Sequence, residues 1–365
     1  MKLISRLIAT LAALILLVSA YSGWVDPRTW AWPAIAGLAF PFVVGSVLLV
    51  ALLCLVLRQW RALVIVAGAI LLAWPTIRLH APLSGAKEIP QDVTTFRVMT
   101  YNVAGFEELE AKTLRYILAQ DADFVLMQET TWTSMDFTDL PQHVDLREEL
   151  EQKYPYHSQG YHDLAILSKL PYTVYNDTTL MQRSGTADDN SGYHYYAKAF
   201  DLKVAGRPLR IVNVHLQSIG LSNDDKTLYK KITSNEINSR QDISQVRHSI
   251  LSKLAGAFRR RAGEAQQLRS FLNEVTSVPD VIVCGDFNDT PGSYCYRTIR
   301  GKDFNDAFAD CGRWPTFTFN RDRFYFKIDH ILYRGGLQAM NIRCDRAGGS
   351  DHYPQLATFA LLPSP

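Results

Sequence analysis

The sequence predicts an α/β domain preceded by about three transmembrane helices. Three observations carry that prediction. The first 80 residues are dominated by long apolar stretches. From Thr95 onward, short β-rich runs alternate with helical segments. Several of those runs end in a polar residue that packing alone would not choose: Asn102, Glu129, His215 and Asp286.

The membrane segments are read from residues 7–24, 33–57 and 62–77. The second carries no charge, and the third lies near the lower length limit of roughly 17 residues for a span. Five of the seven tryptophans (Trp24, Trp30, Trp32, Trp60 and Trp74) sit in or beside these stretches. Indole rings prefer the headgroup layer, so the clustering fits membrane boundaries. Three near-contiguous uncharged runs seldom belong to the core of a soluble domain.

Orientation follows from the positive charges. Lys2 and Arg6 precede the first stretch, and Arg58 and Arg61 fill the connection between the second and third. Both pairs favour the cytoplasm, whereas Asp26 and Arg28 nearly cancel in the connection between. Three spans that start inside leave the C-terminal domain outside. A rival reading makes the first stretch a signal peptide cleaved after Val18-Ser19-Ala20. Two spans then remain, and the C-terminal domain is again outside. The expected organisation is a transmembrane region at residues 1–80, a linker at 81–94 and a C-terminal domain at 95–362 of a multi-pass cell-membrane protein.

Composition narrows the partners. With 47% hydrophobic and 20% charged residues, the chain has material for a large core, and disorder is not expected. The first 80 residues hold six of the 38 basic residues and one of the 36 acidic ones. The remainder therefore carries 32 basic against 35 acidic residues. Proteins that grip long nucleic-acid backbones usually show the opposite excess. The partner expected from these features is the lipid bilayer, with no obligate protein partner inferred.

The strands expected are residues 96–103, 123–128, 164–168, 195–202, 209–216, 281–284 and 328–333, and the helices 114–120 and 250–275. Each polar strand end also has a bland reading. Asn102 suits a turn, Glu129 an exposed strand end, and His215 a hydrogen-bonded core histidine. The segment VIVCGDFNDTP resists that treatment, because turn formation does not ask for Asp286 and Asn288 two apart on one face. Asp329, inside KIDHILY, is costly to bury without a partner. Ser350-Asp351-His352 adds a second Asp-His dipeptide near the C-terminus.

In order, these pieces resemble the endonuclease/exonuclease/phosphatase superfamily, which includes pancreatic-type deoxyribonucleases, apurinic-site endonucleases, inositol polyphosphate 5-phosphatases and neutral sphingomyelinases. The matching motifs are TYNV at Asn102, LMQET at Glu129, AILSK at residues 165–169, the strand histidine His215, GDFN at Asp286 and Asn288, and SDH at Asp351 and His352. The usual RID reads KID here, with Lys327 ahead of Asp329. The resemblance implies a four-layer α/β sandwich, two packed mixed β-sheets with helices outside.

It also implies the chemistry. Glu129, helped by Asn102, would hold Mg2+ (or Mn2+), with Asp351 a further ligand. His352, polarised by Asp329, would serve as base or as a phosphate-stabilising cation. Asp286 would orient or deprotonate the attacking water, Asn288 would fix a phosphate oxygen or that water, and His215 would donate to the phosphate. Sequence leaves the choice of base between Asp286 and His352 open. His162 and Asp163 read as a solvated loop ahead of a strand, with orientation of His215 as the alternative.

Substrate recognition is expected from the polar insert at residues 218–248, where Lys226, Lys230 and Lys231 are candidates to meet phosphate. Arg259, Arg260 and Arg261 read as an exposed helical face. Cys54 and Cys284 read as buried free thiols, while the exported Cys295, Cys311 and Cys344 permit a disulfide, Cys295 with Cys311 being the expected pair. The function expected is a hydrolase of lipid-headgroup or small phosphodiester or phosphomonoester substrates. An exported nuclease of DNA or RNA and a non-catalytic membrane-bound binding protein are the alternatives.

Overall fold

The computed structural model describes residues 2–106, 110–130, 144–158, 163–175, 196–219, 240–275, 277–321 and 324–362. It divides into two compact units. One comprises Met1–Leu79, Gln217–Gly263 and Thr290–Arg297; the other comprises His80–Leu216, Glu264–Asp289 and Thr298–Pro365.

The first unit contains α1 (Lys2–Tyr21), α2 (Trp32–Leu38), α3 (Phe40–Val56) and α4 (Trp60–His80). Helices α1, with the turn after it, and α4 are each long and apolar enough to cross a membrane. The expected middle span is instead a pair, α2 and α3, bent by 64°, so among the described residues two helices, or three if the pair counts as one span, are long and apolar enough to cross a membrane. Pro41 stands in the first turn of α3 and has no amide to bond back to Gly37, which breaks the helix there. Small side chains face inward in this unit, among them Ala9, Ala13, Ala20, Ala62, Ala69 and Ala73. Leu7, Leu11, Val18, Val64, Leu71 and Leu72 point outward and are exposed. Small side chains let the helix backbones approach closely. Within the same unit, Tyr294 donates to Asp26 at 3.2 Å and the Arg297 guanidinium lies over the Trp24 ring.

The second unit is built on two six-stranded sheets. In chain order the strands are β1 (Thr95–Asn102), β2 (Phe124–Gln128), β3 (Tyr156–His157), β4 (Ala165–Ser168), β5 (Tyr172–Val174), β6 (Ala197–Val204), β7 (Arg207–His215), β8 (Asp280–Asp286), β9 (Asn305–Asp306), β10 (Phe319–Arg321), β11 (Phe324–Phe326), β12 (Asp329–Arg334), β13 (Leu337–Cys344) and β14 (Gln355–Leu361). One sheet has the order β13-β14-β1-β2-β4-β3 and the other β5-β6-β7-β8-β12-β9, with β10-β11 as a separate hairpin. The pairs β1-β2 and β7-β8 are parallel. Their neighbours in each sheet are antiparallel.

Side-chain alternation with period two explains how one core serves both sheets. Phe96 and Val98 of β1, Phe124 and Leu126 of β2, Leu209 and Ile211 of β7, Ile282 and Cys284 of β8, and Ile331 and Tyr333 of β12 meet between the sheets. Met99 and Tyr101 point the other way, toward Leu114, Ile117 and Leu118 of α5 (Glu110–Gln120) and Leu146 and Leu150 of α6 (Val144–Lys153). On the far face of the second sheet lies the C-terminal part of α7 (Arg240–Glu274), where Phe271 packs on Tyr175 and Gln267 accepts from Tyr196. The layers are therefore helix, sheet, sheet, helix, as the resemblance implied.

Two expectations need correction. Arg259 and Arg260 are exposed, but Arg261 is 1% exposed, donates to the Gln217 carbonyl at 2.9 Å and lies over the Phe258 ring. An α-helix turns 100° per residue, so three consecutive arginines cannot share one face. The cysteines are all free thiols; Cys311 donates to the Ala339 carbonyl at 2.9 Å instead of joining Cys295. His162 and most of the polar insert, Lys226, Lys230 and Lys231 included, lie outside the described residues.

Candidate active site

The alternation that fills the core also assembles the site. On each inter-sheet face the apolar residues give way to polar ones at one end of the strand. Phe96 and Val98 lead to Asn102, Phe124 and Leu126 to Gln128, and Leu209 and Ile211 to Asn213 and His215, while Ile282 and Cys284 lead to Asp286. β12 runs antiparallel to β8, so its first residue, Asp329, arrives at the same rim. Strand register then sets neighbours: Asn102 opposite Gln128, His215 opposite Asp286, and Asp329 opposite Asp286.

Asp286 is the centre of the arrangement and is 1% exposed. Its Oδ2 accepts from the Asn102 side-chain amide at 3.1 Å and from the Asn288 amide at 3.2 Å, and its Oδ1 accepts from the Asn288 backbone at 2.7 Å. The same Oδ2 lies 3.9 Å from Nε2 of His215 and 3.6 Å from Nε2 of His352. Each histidine is backed by its own carboxylate. His352 Nδ1 is 3.0 Å from Asp329, and His215 Nδ1 is 3.2 Å from Asp163. Asp163 is buried, so the solvated-loop reading of this residue is corrected. Its second oxygen accepts from the Glu129 backbone amide at 2.9 Å, which fixes Glu129 at φ 56, a conformation rare outside glycine.

Burial pushes the Asp286 carboxyl up to about 6, against the opposing pull of the nearby histidines. For His215, burial favours the neutral ring, but Asp163, Glu129 and Asp286 outweigh it and raise the group to about 9. His352 behaves alike: Asp329 and Asp286 overcome burial and raise it to about 10. Two buried imidazolium groups therefore flank one carboxylate at neutral pH.

Among the described residues, two groups of side chains have the geometry to hold a cation: Glu129 with His215 and Asp286, and Asp286 with Asp329 and His352. The first fits a hard divalent ion best. Glu129 and Asp286 offer hard carboxylate oxygens; both accept from Asn102 Nδ2, at 2.9 and 3.1 Å, while Asn102 Oδ1 accepts the Ala104 amide at 3.0 Å. Asp351 joins neither group; Arg321 engages its carboxylate at 3.0 Å.

Several supporting residues escaped the sequence reading. Gln128 donates to Asn213 at 2.6 Å, and Asn213 donates to the Met127 and Ala165 carbonyls, a polar bridge between the sheets beneath the site. Period two alone would have found Asn213, two residues before His215 on the same face. Ser350 donates to the Asn102 carbonyl and accepts from the His352 amide, tying the C-terminal motif to β1. Lys327, fully buried, donates to the Asp329 carbonyl and to His330 Nδ1. His330 Nε2 in turn donates to the Asp289 carbonyl, so burial and the adjacent ammonium hold His330 neutral, well below its usual value.

Residues 99–352 match the model of the endonuclease/exonuclease/phosphatase family. The chain belongs to that family. Residues 1–80 match a domain family of unknown function. No curated protein matches the chain. Among solved structures, the family member of Bacteroides vulgatus is 18% identical, with 73% of this chain and 99% of that one covered and a TM-score of 0.46. The human nocturnin catalytic domain with bound sulfate is 18% identical over 73% of this chain and 94% of that one, TM-score 0.45. Truncated TDP2 of Caenorhabditis elegans is 16% identical over 73% and 97%, TM-score 0.43. As a member of the endonuclease/exonuclease/phosphatase family, the chain is a phosphoester hydrolase.

Proposed function

We propose that this family member is a membrane-anchored, divalent-metal-dependent hydrolase whose catalytic domain lies outside the cytoplasm and acts on lipid headgroups or small phosphoesters. The observation that carries the chemistry is Asp286 within 4 Å of two histidines, each with its own carboxylate. The anchor rests on the apolar helices of the first unit and the side of the membrane on the early positive charges.

In this reading Glu129 and Asp286 would hold Mg2+ or Mn2+, with the Asn102 side-chain amide positioning both carboxylates, and Asp351 would add negative charge from the rim. The cation, when bound, neutralises phosphate oxygens and stabilises the leaving oxygen. The protein supplies the rest. Asp286 orients the attacking water and takes its proton. His352 and His215, both held protonated, donate to the non-bridging oxygens, so His352 is the stabilising cation rather than the base. Asn288, with φ 51 and its amide spanning Asp286 and the Leu216 carbonyl, fixes the water or a phosphate oxygen.

The test is the full chain in detergent with Mg2+, offered DNA, RNA, phospholipids, sphingomyelin and inositol phosphates. Turnover of a lipid or small phosphoester that disappears in Asp286→Ala is the expected result. Rapid DNA cleavage lost in the same variant would replace this reading with an exported nuclease. Metal binding without turnover of any phosphoester would leave a non-catalytic binding protein. A reporter fused after Pro365 that sits in the cytoplasm would overturn the orientation.

A further inference from the structure

The catalytic unit exposes aromatic side chains in one short stretch. Trp314 is 62% exposed, Phe317 42% and Tyr325 47%, and the Phe317 and Tyr325 rings lie 5.6 Å apart. Leu83, 62% exposed, extends the patch, because Leu83 bridges to Arg313 and the Trp314 amide donates to the Pro82 carbonyl at 3.0 Å. Two further links, from Gly85 to the Gly312 carbonyl and from Ser84 to the Ala309 carbonyl, hold the strand of residues 82–85 in place. A soluble domain has no use for clustered exposed indole, phenyl and leucine side chains, and such clusters mark contact with an apolar partner.

Chain connectivity identifies the partner. Helix α4 ends at His80, and Leu83 follows three residues later. An extended chain covers about 3.5 Å per residue, so Leu83 stands within about 10 Å of the end of the apolar helix. If that helix spans a bilayer, the patch cannot be far from the headgroup layer, where tryptophan and tyrosine are most stable. Arg313 and Lys87, both exposed beside it, suit anionic headgroups. The patch also leads to the chemistry: Phe319, two residues beyond Phe317, has its ring 5.0 Å from that of His352.

We propose that Leu83, Trp314, Phe317 and Tyr325 form an interfacial docking surface that lies in the outer headgroup layer of the bilayer holding the anchor. This inference rests on the membrane-anchor reading above and adds a contact that the anchor alone does not require. It presents the His352 rim to phosphoesters at headgroup depth.

The experiment uses the full chain in nanodiscs containing phosphatidylethanolamine and phosphatidylglycerol. p-Benzoylphenylalanine replaces, one at a time, Trp314, Phe317 or Tyr325. It also replaces Leu71 on the exposed face of α4, and Lys203, near the end of β6 and paired with Pro208 at the start of β7, so at the rim opposite His215. After irradiation, lipid adducts are read by intact-protein mass spectrometry. Adducts at positions 314, 317 and 325 about tenfold or more above those at 203, together with adducts at 71, are expected of an interfacial surface. Adducts at 71 with none at the three patch positions overturn the docking surface and leave the anchor standing. No adduct at 71 overturns the anchor and the inference with it. A crosslink from 317 or 325 to a second copy of the chain overturns the lipid assignment.

Discussion

One carboxylate, that of Asp163, holds two functional groups at once: Oδ2 lies 3.2 Å from His215 Nδ1, and Oδ1 accepts the Glu129 amide at 2.9 Å. It therefore sets the charge of the histidine and the backbone angle of the candidate metal ligand. Asp163→Asn keeps the shape and removes the charge. The kcat is expected to fall about 10²- to 10⁴-fold, the usual worth of a positioned proton donor. Loss of the carboxylate lowers the His215 pKa, so the alkaline limb of the kcat profile moves to lower pH. A purely structural role for Asp163 would lower activity without moving that limb.

Asp286 makes cation binding pH-dependent. The metal-free carboxyl titrates near 6, and only its ionised form is a ligand. Below that value each pH unit costs about tenfold in affinity, because a proton must leave before the cation enters. Calorimetric titration of the full chain with Mn2+ between pH 4.5 and 7.5 checks this. Affinity that is flat across the range would show that Asp286 is not a ligand.

Much of this site was legible in the sequence because its residues come at strand ends in motifs. Asn102, Glu129, His215, Asp286, Asn288, Asp329 and His352 all stand at one rim of the two sheets. Asp163 was read as solvated loop first, with orientation of His215 only as the alternative, for a physical reason. It lies between a strand and a polar segment, and only the pairing of β2 with β4 brings it beside Glu129. Asp351 shows the opposite case: its motif is intact, and Arg321, on a hairpin the sequence reading did not find, engages its carboxylate. The edge strand β13 and its neighbour β14 were overlooked too, although their seven-residue register against one another completes the first sheet. The bent pair α2 and α3 shows a limit of hydropathy, since an uncharged run says nothing about the break at Pro41.

The pair of His352 and Asp329 links stability to pH in a defined direction. Both side chains are buried, and the folded-state pKa of His352, about 10, exceeds the unfolded value near 6.5. Its contribution is therefore fully present below about 6.5 and is lost as pH rises through about 10. In chelator, Asp329→Asn should lower Tm markedly at pH 7 and much less at pH 10.5. A Tm gap that is equal at both values would mean that His352 is neutral in the folded protein.

Gly285 is the backbone position on which the site depends most directly. It precedes Asp286, has φ 142 and lies in register with Val214, and a Cβ there would collide with the Val214 carbonyl oxygen. That oxygen belongs to a strand of the same parallel pair, so it cannot swing aside as a flexible side chain would. The close approach of β7 and β8 at this point sets His215 opposite Asp286. Gly285→Ala must either strain the backbone or part the two strands, at a cost of about 3 kcal/mol or more. The expected result is a Tm drop of several degrees together with loss of activity larger than the fraction unfolded explains. Residual folded protein with unchanged kcat would show that the strand spacing is not what aligns the histidine with the carboxylate.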